Sequence, residues 1–375
     1  MGYQVPESPF QDLPEALVEE MLSQYKRLGE RLSESFEEVL RSRDKVRESL
    51  KTQKLLRDDS TVIASHVHPT TCGVDGSYAI ERLLSTDIAA MAAVAVEGLT
   101  PPSEKRHWPR PHHLSNVSTI SHSEATGLVI RGIMVTMELE LAAKAPHDVV
   151  FLDGSLTTPV IHLNQALGRT SEVPPELSQM LLDRVGPALD DYKEVLGSKR
   201  SDKAYGGVPK YTSRKELSKV IGLPGQEDRA VLSQVLNGGE LVGPVDMLQP
   251  GEDWHFANLP AELQGKAKDI ISLIFDLNVV YYRPFEHFPT LRIEVSPSVS
   301  RNQSRLSILL ESLQLQCGAP GIMEPYPLYL ADRMVKHLGS AVPVIRRATT
   351  QEMASTSTQD AGGIFMAMHG YRTEY

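Results

Sequence analysis

Several things are scarce in this chain, and each absence narrows what it can be. Two cysteines, Cys72 and Cys317, are too few to hold a zinc cluster by themselves. They read as small core residues of a protein working in a reducing cytoplasm. No apolar run is long enough to span a bilayer, so no membrane association is expected. The N-terminal MGYQVPESPFQDL lacks a basic stretch followed by an apolar one, and no secretory signal is expected. Positive charge is also in deficit: Lys plus Arg number 38 against 48 Asp plus Glu, a net charge of −10. That argues against a nucleic-acid binder held by bulk charge alone. No GxxxxGK[ST] occurs, so the chain carries no P-loop ATPase of its own. What remains is globular, with 41% hydrophobic residues over 375 positions, enough for a large core and more than one domain.

The charge is uneven. From Lys199 to Lys219 there are seven basic residues (Lys199, Arg200, Lys203, Lys210, Arg214, Lys215, Lys219) against Asp202 and Glu216, so 7 − 2 = +5. Arg333, Lys336, Arg346 and Arg347 form a second basic stretch free of acids. Two such stretches in an acidic chain suggest a local track for a polyanion.

Residues 1–60 predict a long amphipathic helix or helical pair. Val18, Tyr25, Leu32, Val39 and Val46 recur every seven residues, and Met21, Leu22, Leu28, Phe36 and Leu50 fill a neighbouring stripe. Such an arm reads either as a dimer or partner-docking element or as a helix packed on its own domain. Residues 61–348 predict an α/β domain, a mixed sheet flanked by helices. Within it, 223–270 is rich in Gly, Pro and acid and reads as an insertion. NVVYYRPF and TLRIEVSP read as a hairpin, a helix is expected around Ser304–Leu313, and PYPLYLADRMVKH reads as the last helix. The tail 349–375 is polar and expected to be mobile, with IFMAMHGY as an apolar snippet able to dock.

Asp-Gly-Ser occurs twice, in CGVDGSYAI at Asp75 and in DVVFLDGSL at Asp153, each time after an apolar run. One copy would read as a turn. A carboxylate closing a buried strand is costly unless a cation sits against it, and two of them suit a divalent metal site. Gly after the Asp permits close approach of backbone or ligand. Between the copies, RGIMVTMELELAAKA places Glu138 and Glu140 on one helix, where residues two apart point in different directions. Glu138 is preferred for the sheet side, with Glu140 as the alternative. Asp332 sits at the edge of the buried stripe of the last helix, either as a further carboxylate or as an ion-pair partner of Lys336 at i+4. Hard oxygen donors without a Cys/His set favour Mg²⁺ or Mn²⁺ over Zn²⁺.

In this order the strand ending in DGS, the helix Glu, the strand ending in LDGSL, the hairpin YYRPFEHFPTLRIEVSP and the late PYPLYLADR helix resemble the NurA nuclease family over roughly residues 70–345. The resemblance implies an RNase H-like fold, a two-fold homodimer, and action on DNA with the hexameric HerA-type ATPase in end processing or phage defence. It maps metal-binding and catalytic roles onto Asp75, Glu138, Asp153 and Asp332, with Glu140 and His337 as spares. Lys210 corresponds to a strand-end lysine that contacts phosphate, and Tyr326 to a family tyrosine. DNA contacts fall to Lys210, Arg214, Lys215, Arg333 and Lys336. The implied activity is phosphodiester hydrolysis with two Mn²⁺ or Mg²⁺ ions, Asp75 between them. Two other readings stay open. An actin-like or sugar-kinase-like ATPase uses Asp-Gly-Ser/Thr loops, but normally as Asp-x-Gly-x-Ser/Thr. A catalytically silent scaffold could dock on an ATPase ring.

Overall fold

The computed structural model describes residues 13–64, 68–101, 106–198, 200, 202–212, 214–223, 225–248, 254–356 and 361–370. Lys199 of the basic stretch lies outside them. The chain opens with helices α1 (Glu15–Ser23) and α2 (Tyr25–Thr52), then β1 (Leu56–Asp58), β2 (Thr71–Arg82), β3 (Asp87–Glu97) and β4 (His112–Ile120). Helix α3 (Thr126–Lys144), β5 (Val149–Asp153), α4 (Thr158–Leu167), α5 (Pro175–Gly197) and β6 (Ala204–Val208) follow. Next are α6 (Ser218–Ile221), α7 (Asp228–Val235), β7 (Glu240–Asp246), α8 (Gln264–Phe275), β8 (Asn278–Arg283) and β9 (Leu291–Val295). The chain closes with α9 (Pro297–Ser300), α10 (Gln303–Gln316), α11 (Tyr326–Lys336), α12 (Leu338–Thr356) and α13 (Ala361–Ala367).

The strands form one mixed sheet in the order β1-β7-β8-β9-β6-β5-β2-β3-β4. Among the described residues, only the pairs β2–β5 and β5–β6 are parallel. Alternation along β5 shows how the sheet divides the core. Val150 and Leu152 belong to one apolar cluster with α3, α4 and α5, while Val149 and Phe151 belong to another with α10 and Leu328 of α11. Successive strand residues point to opposite faces, so helices cover both sides, as the apolar runs VVFL and AAMAAVAV require.

Two glycines of β2 set how closely the helices approach. A Cβ on Gly73 would lie 2.5 Å from Leu328 N and from Pro327 C at the start of α11. A Cβ on Gly76 would lie 2.7 Å from Glu138 Oε1 and 2.9 Å from Met134 Cγ of α3. Three residues apart on a strand, the two positions face opposite sides. One strand is therefore clamped between α3 and α11 with no room for side chains at either contact.

Several sequence expectations change. The 223–270 stretch, read as an insertion, supplies β7, which pairs between β1 and β8 and so belongs to the sheet. Its Gly and Pro content reflects the bulge between Val242 and Val245, at Gly243-Pro244. HHLSNVSTI carries no period-2 apolar pattern, its Leu114, Val117 and Ile120 falling three apart, yet it forms β4, an edge strand. The segment TPVIHLNQAL, unassigned from sequence, forms α4. The tail, expected to be mobile from 349, is helical to Thr356. Its apolar end docks: Ile364 and Met368 are buried, Leu84 N donates to His369 O at 3.0 Å, and Gly370 bridges to Leu83.

The N-terminal pair is held at one end only. Val39, Val46 and Leu50 of α2 are buried, and Arg47 pairs in two-pronged fashion with Glu240 at 2.6 and 2.7 Å. Ser35 Oγ accepts from Gln226 Nε2 at 2.7 Å and Ser49 Oγ donates to Val220 O at 3.0 Å. α1 buries no residue, and Leu17, Met21, Leu22, Tyr25, Leu28, Leu32 and Phe36 are exposed.

The clamp on β2 is testable by calorimetry. Gly73→Ala is expected to destabilise the protein by about 1–3 kcal/mol, because the added methyl meets helix backbone that cannot rotate away. Gly265→Ala in α8, where a Cβ meets nothing within 4 Å, is expected to hold or raise the melting temperature. Equal effects at the two positions would refute the steric clamp.

Candidate active site

Asp75 does not close its strand. β2 runs on through Gly76 and Ser77, paired with Ala93 and Ala92 of β3. What ends is its parallel partner: the β2–β5 pairing stops at Val74–Leu152. Asp75 is therefore the first β2 residue without a neighbour on that side, and Asp153, the last residue of β5, stands beside the gap. Gly154 then turns the chain away with φ +88°, a conformation that favours glycine. From the opposite face, α11, seated close over Gly73, brings Asp332 to the same point. Oxygen atoms of Asp75, Asp153 and Asp332 all lie within 4.8 Å of one another.

Lys210, two residues beyond β6, answers that negative charge. Its Nζ lies 2.9 Å from Asp153 Oδ2, 3.0 Å from Glu324 Oε2 and 3.4 Å from Asp332 Oδ1. Lys336 Nζ reaches the other oxygen of Asp332 at 2.7 Å. Burial alone would push the Lys210 ammonium down, but Asp153 and Glu324 outweigh it and hold the group above its ordinary range. Asp75 is 9% exposed. Burial, and next the charge of Asp153, raise its carboxyl from 3.8 to about 7, although Gly76 N donates to Oδ1 at 2.8 Å. Glu138, against Gly76, is pushed well above the usual carboxylate range by burial, then by Asp75 and Asp153. Several acids that cannot all shed their protons near neutrality mark a site made for a cation.

Asp75, Glu138, Asp153 and Lys210 border a cavity of about 570 Å³, while Asp332 belongs to the carboxylate cluster but not to the lining. Asp75, Glu138 and Asp153 line it on one side, Lys210, Tyr211, Thr212 and Arg214 on another, with Thr157, Thr158 and His162 between them. The donor set fits a hard divalent cation: the converging atoms are carboxylate oxygens, with no sulfur or imidazole among the cluster.

The loop carrying Asp153 is braced from inside the protein. Glu294 of β9, fully buried, accepts from Leu156 N at 2.7 Å and from Ser155 Oγ at 2.8 Å. Tyr192 donates to Leu156 O. Arg292, also buried, joins Glu294 to Glu216, the latter at 2.6 Å. The second Asp-Gly-Ser therefore ends in a serine that borders the cavity and is tied to the sheet.

The remaining sequence candidates separate. Glu140 pairs with Lys144 at 2.7 Å and Arg184 at 2.9 Å, away from the cavity, so Glu138 is the helix acid at the site. Arg214 reaches the cavity and donates to Thr157 Oγ1 at 3.0 Å. Lys215 is half-buried beyond it and does not line the cavity. Arg333 lies over the Tyr329 ring at 5.8 Å on the exposed face of α11. Tyr326 is the first residue of α11, and His337 caps its far end in solvent. Neither lines the cavity. The basic stretch is not a continuous track: Lys203 is buried, donating to Ala143 O at 3.1 Å, and Arg200 pairs with Asp202. In the second stretch Arg346 pairs with Glu81 at 2.9 Å. Glu324 was missed in sequence because a lone Glu before Pro325 looks like a solvated turn residue. Glu294 and Arg292 were read only as strand pattern, since alternation predicts burial but not what a buried charge holds.

The family model described as NurA domain matches residues 69–337. The crystal structure of the NurA nuclease from Sulfolobus solfataricus superposes with a TM-score of 0.62 at 12% identity, covering 93% of this chain and 100% of that one. A structure of NurA bound to dAMP and manganese gives 0.58 at 15% identity, covering 91% and 98%. One of NurA with manganese gives 0.54 at 15%, covering 90% and 99%. Identities this low establish a shared fold. A comparison with curated proteins finds no match.

Because the fold favours the protonated Asp75, that preference contributes stability in acid, which is lost as pH rises from about 4 through about 7. In EDTA at pH 8, Asp75→Asn is expected to melt several degrees above the wild type, the gap narrowing toward pH 4. Differential scanning fluorimetry across pH checks this, and a pH-independent difference would refute it.

Proposed function

The chain belongs to the NurA family, and on that premise we propose that it is a metal-dependent nuclease hydrolysing phosphodiester bonds in DNA. The observation that carries the reading is the convergence of Asp75, Asp153 and Asp332 within 4.8 Å, with Lys210 against them, beside a cavity of about 570 Å³ that Asp75, Asp153 and Lys210 line. The strand order β4-β3-β2-β5-β6, three antiparallel strands followed by two parallel ones, supports the RNase H-like reading of the core.

Asp75, Asp153 and Asp332, with Glu138 alongside, would hold the ions. A bound Mn²⁺ or Mg²⁺ supplies Lewis acidity at the phosphate and lowers the pKa of a water it holds. The related structures with manganese support the choice of ion. Lys210 Nζ offers a fixed positive charge to the phosphate as negative charge builds on it. Glu294, through Ser155 and Leu156, keeps the Asp153 carboxylate in place. Asp75 gives up its proton when a cation takes its charge, so metal affinity is expected to rise with pH through about 7.

Homodimer formation and work with a HerA-type hexameric ATPase, in DNA repair or phage defence, complete the proposal. The exposed apolar residues of α1 and the first half of α2 support a docking role for the arm. Among the described residues, no helix is long and apolar enough to cross a membrane.

Cleavage of end-labelled single-stranded and linear duplex DNA, with and without a HerA-type ATPase, tests the proposal. Activity is expected in Mn²⁺ and not in EDTA, with Asp75→Asn and Asp153→Asn each losing more than about 100-fold. Full activity in Asp75→Asn would sink the site assignment. No cleavage in any lane by the folded protein would favour the scaffold reading.

A further inference from the structure

Strand β9 carries two buried charges, Arg292 and Glu294, that together grip both loops of the site. They stand two apart and share one face of the strand. The Asp153 loop crosses over Gly207 of β6, where a Cβ would lie 2.7 Å from Leu156 Cγ and 3.1 Å from Gly154 O. So routed, it reaches Glu294, which accepts from Leu156 N at 2.7 Å and from Ser155 Oγ at 2.8 Å. The segment after Lys210 returns to the same strand. Arg229 donates to Lys210 O and, at 2.9 Å, to the carbonyl of Thr290, the residue before β9. Glu216 Oε1 accepts from Arg292 Nη2 at 2.6 Å, and Arg292 gives Nη1 to Glu294. All three of these side chains are fully enclosed. A second link closes the circuit at the cavity. Arg214 donates to Thr157 Oγ1 at 3.0 Å, and that hydroxyl lies 2.8 Å from Ser155 Oγ. The loops that bring Asp153 and Lys210 together are thus joined inside through Arg292 and outside through Arg214.

Resting on the nuclease reading above, we propose that Arg292 is a positioning residue for the reaction: by holding Glu294 and Glu216 at once, it fixes the Asp153 loop and the Lys210 segment at one separation. The carboxylate and the ammonium must serve the same phosphodiester, and a misplacement of about 1 Å can cost on the order of 100-fold in rate. Glu294 accepts from the loop on Oε2 and from Arg292 on Oε1. A Gln there keeps the volume but turns an NH₂ toward one of those donors, which cuts one link. It also leaves Arg292 paired with Glu216, so no buried charge of the triad is orphaned. Glu216→Gln cuts the opposite link and leaves Arg292 with Glu294.

Hydrogen–deuterium exchange of the full chain in EDTA reads the coupling without activity. Glu216→Gln is expected to speed exchange across residues 153–158, a loop it reaches through Arg292. Glu240→Gln, which breaks the pair with Arg47 far from that loop's supports, is expected to leave 153–158 unchanged. Cleavage of end-labelled DNA in Mn²⁺ reads the consequence. Glu216→Gln and Glu294→Gln are each expected to lower kcat by roughly 10- to 100-fold with KM little changed. Arg292→Lys, which keeps the charge but loses the fork that spans both acids, is expected to match them. The double variant Glu216→Gln with Glu294→Gln is expected to lose no more than the worse single, because both cut one circuit. Losses that multiply in the double variant, a change in KM alone, full kcat in Arg292→Lys, exchange at 153–158 indifferent to Glu216→Gln, or an equal response to Glu240→Gln would each overturn the role of Arg292. Cleavage without transmission between the loops would remove the positioning residue and keep the nuclease. Transmission in a folded protein that cleaves under no condition would sink the nuclease reading and with it the reaction that Arg292 serves.

Discussion

Three carboxylates whose oxygens fit within 4.8 Å cannot all be charged in a half-buried cleft without cations between them. Much of the surrounding structure answers that constraint. Lys210 is drawn to Asp153, Asp332 and Glu324 together, and Lys336 takes the outer oxygen of Asp332. Burial, together with the neighbouring carboxylates, pushes Asp75 and Glu138 toward their protonated forms. The cleft is thus electrostatically uneven, with the ammonium groups gathered on the side of Asp153 and Asp332.

The convergence rests on where strands stop and helices press. β5 ends one residue past its last pairing with β2, which opens the gap beside Asp75. Gly73 and Gly76 let α11 and α3 approach from opposite faces at distances no side chain would allow. Behind the gap, Glu294 and Arg292 form a fully buried ion pair that fastens the Asp153 loop to the strand two places away. Removing one partner of such a pair leaves an uncompensated buried charge. The loop's position is therefore fixed more firmly than a surface turn's would be.

The acid cluster was legible because its carriers interrupt apolar patterns: Asp75 and Asp153 after strand-like runs, Glu138 and Asp332 on apolar helices. Glu140 and Glu138 could be ranked but not separated, since helical geometry says they diverge without saying which way the helix faces; Arg184 on α5 decides it. β4 and β7 escaped detection for different reasons. β4 is an edge strand with one wet face, and β7 hides a regular strand behind a Gly-Pro bulge. Glu324 owes its role to a lysine more than a hundred residues earlier, a pairing that no local pattern carries. The basic stretch misled because linear charge density says nothing of Lys203 turning inward.

The N-terminal arm has a consequence for dynamics. α2 is one continuous helix, yet among the described residues its ties to the body run from Ser35 to Leu50, through Gln226, Asn237, Glu240 and Val220, while α1 buries nothing. Helical hydrogen bonds without tertiary support open at little cost, and those over a packed stripe open only with the domain. Protection against amide exchange should therefore climb steadily along a single helix, from rapid fraying near Tyr25 to core-like persistence near Leu50. The arm is thus rooted at the sheet through Arg47 and Leu50 and bare of packing at its other end.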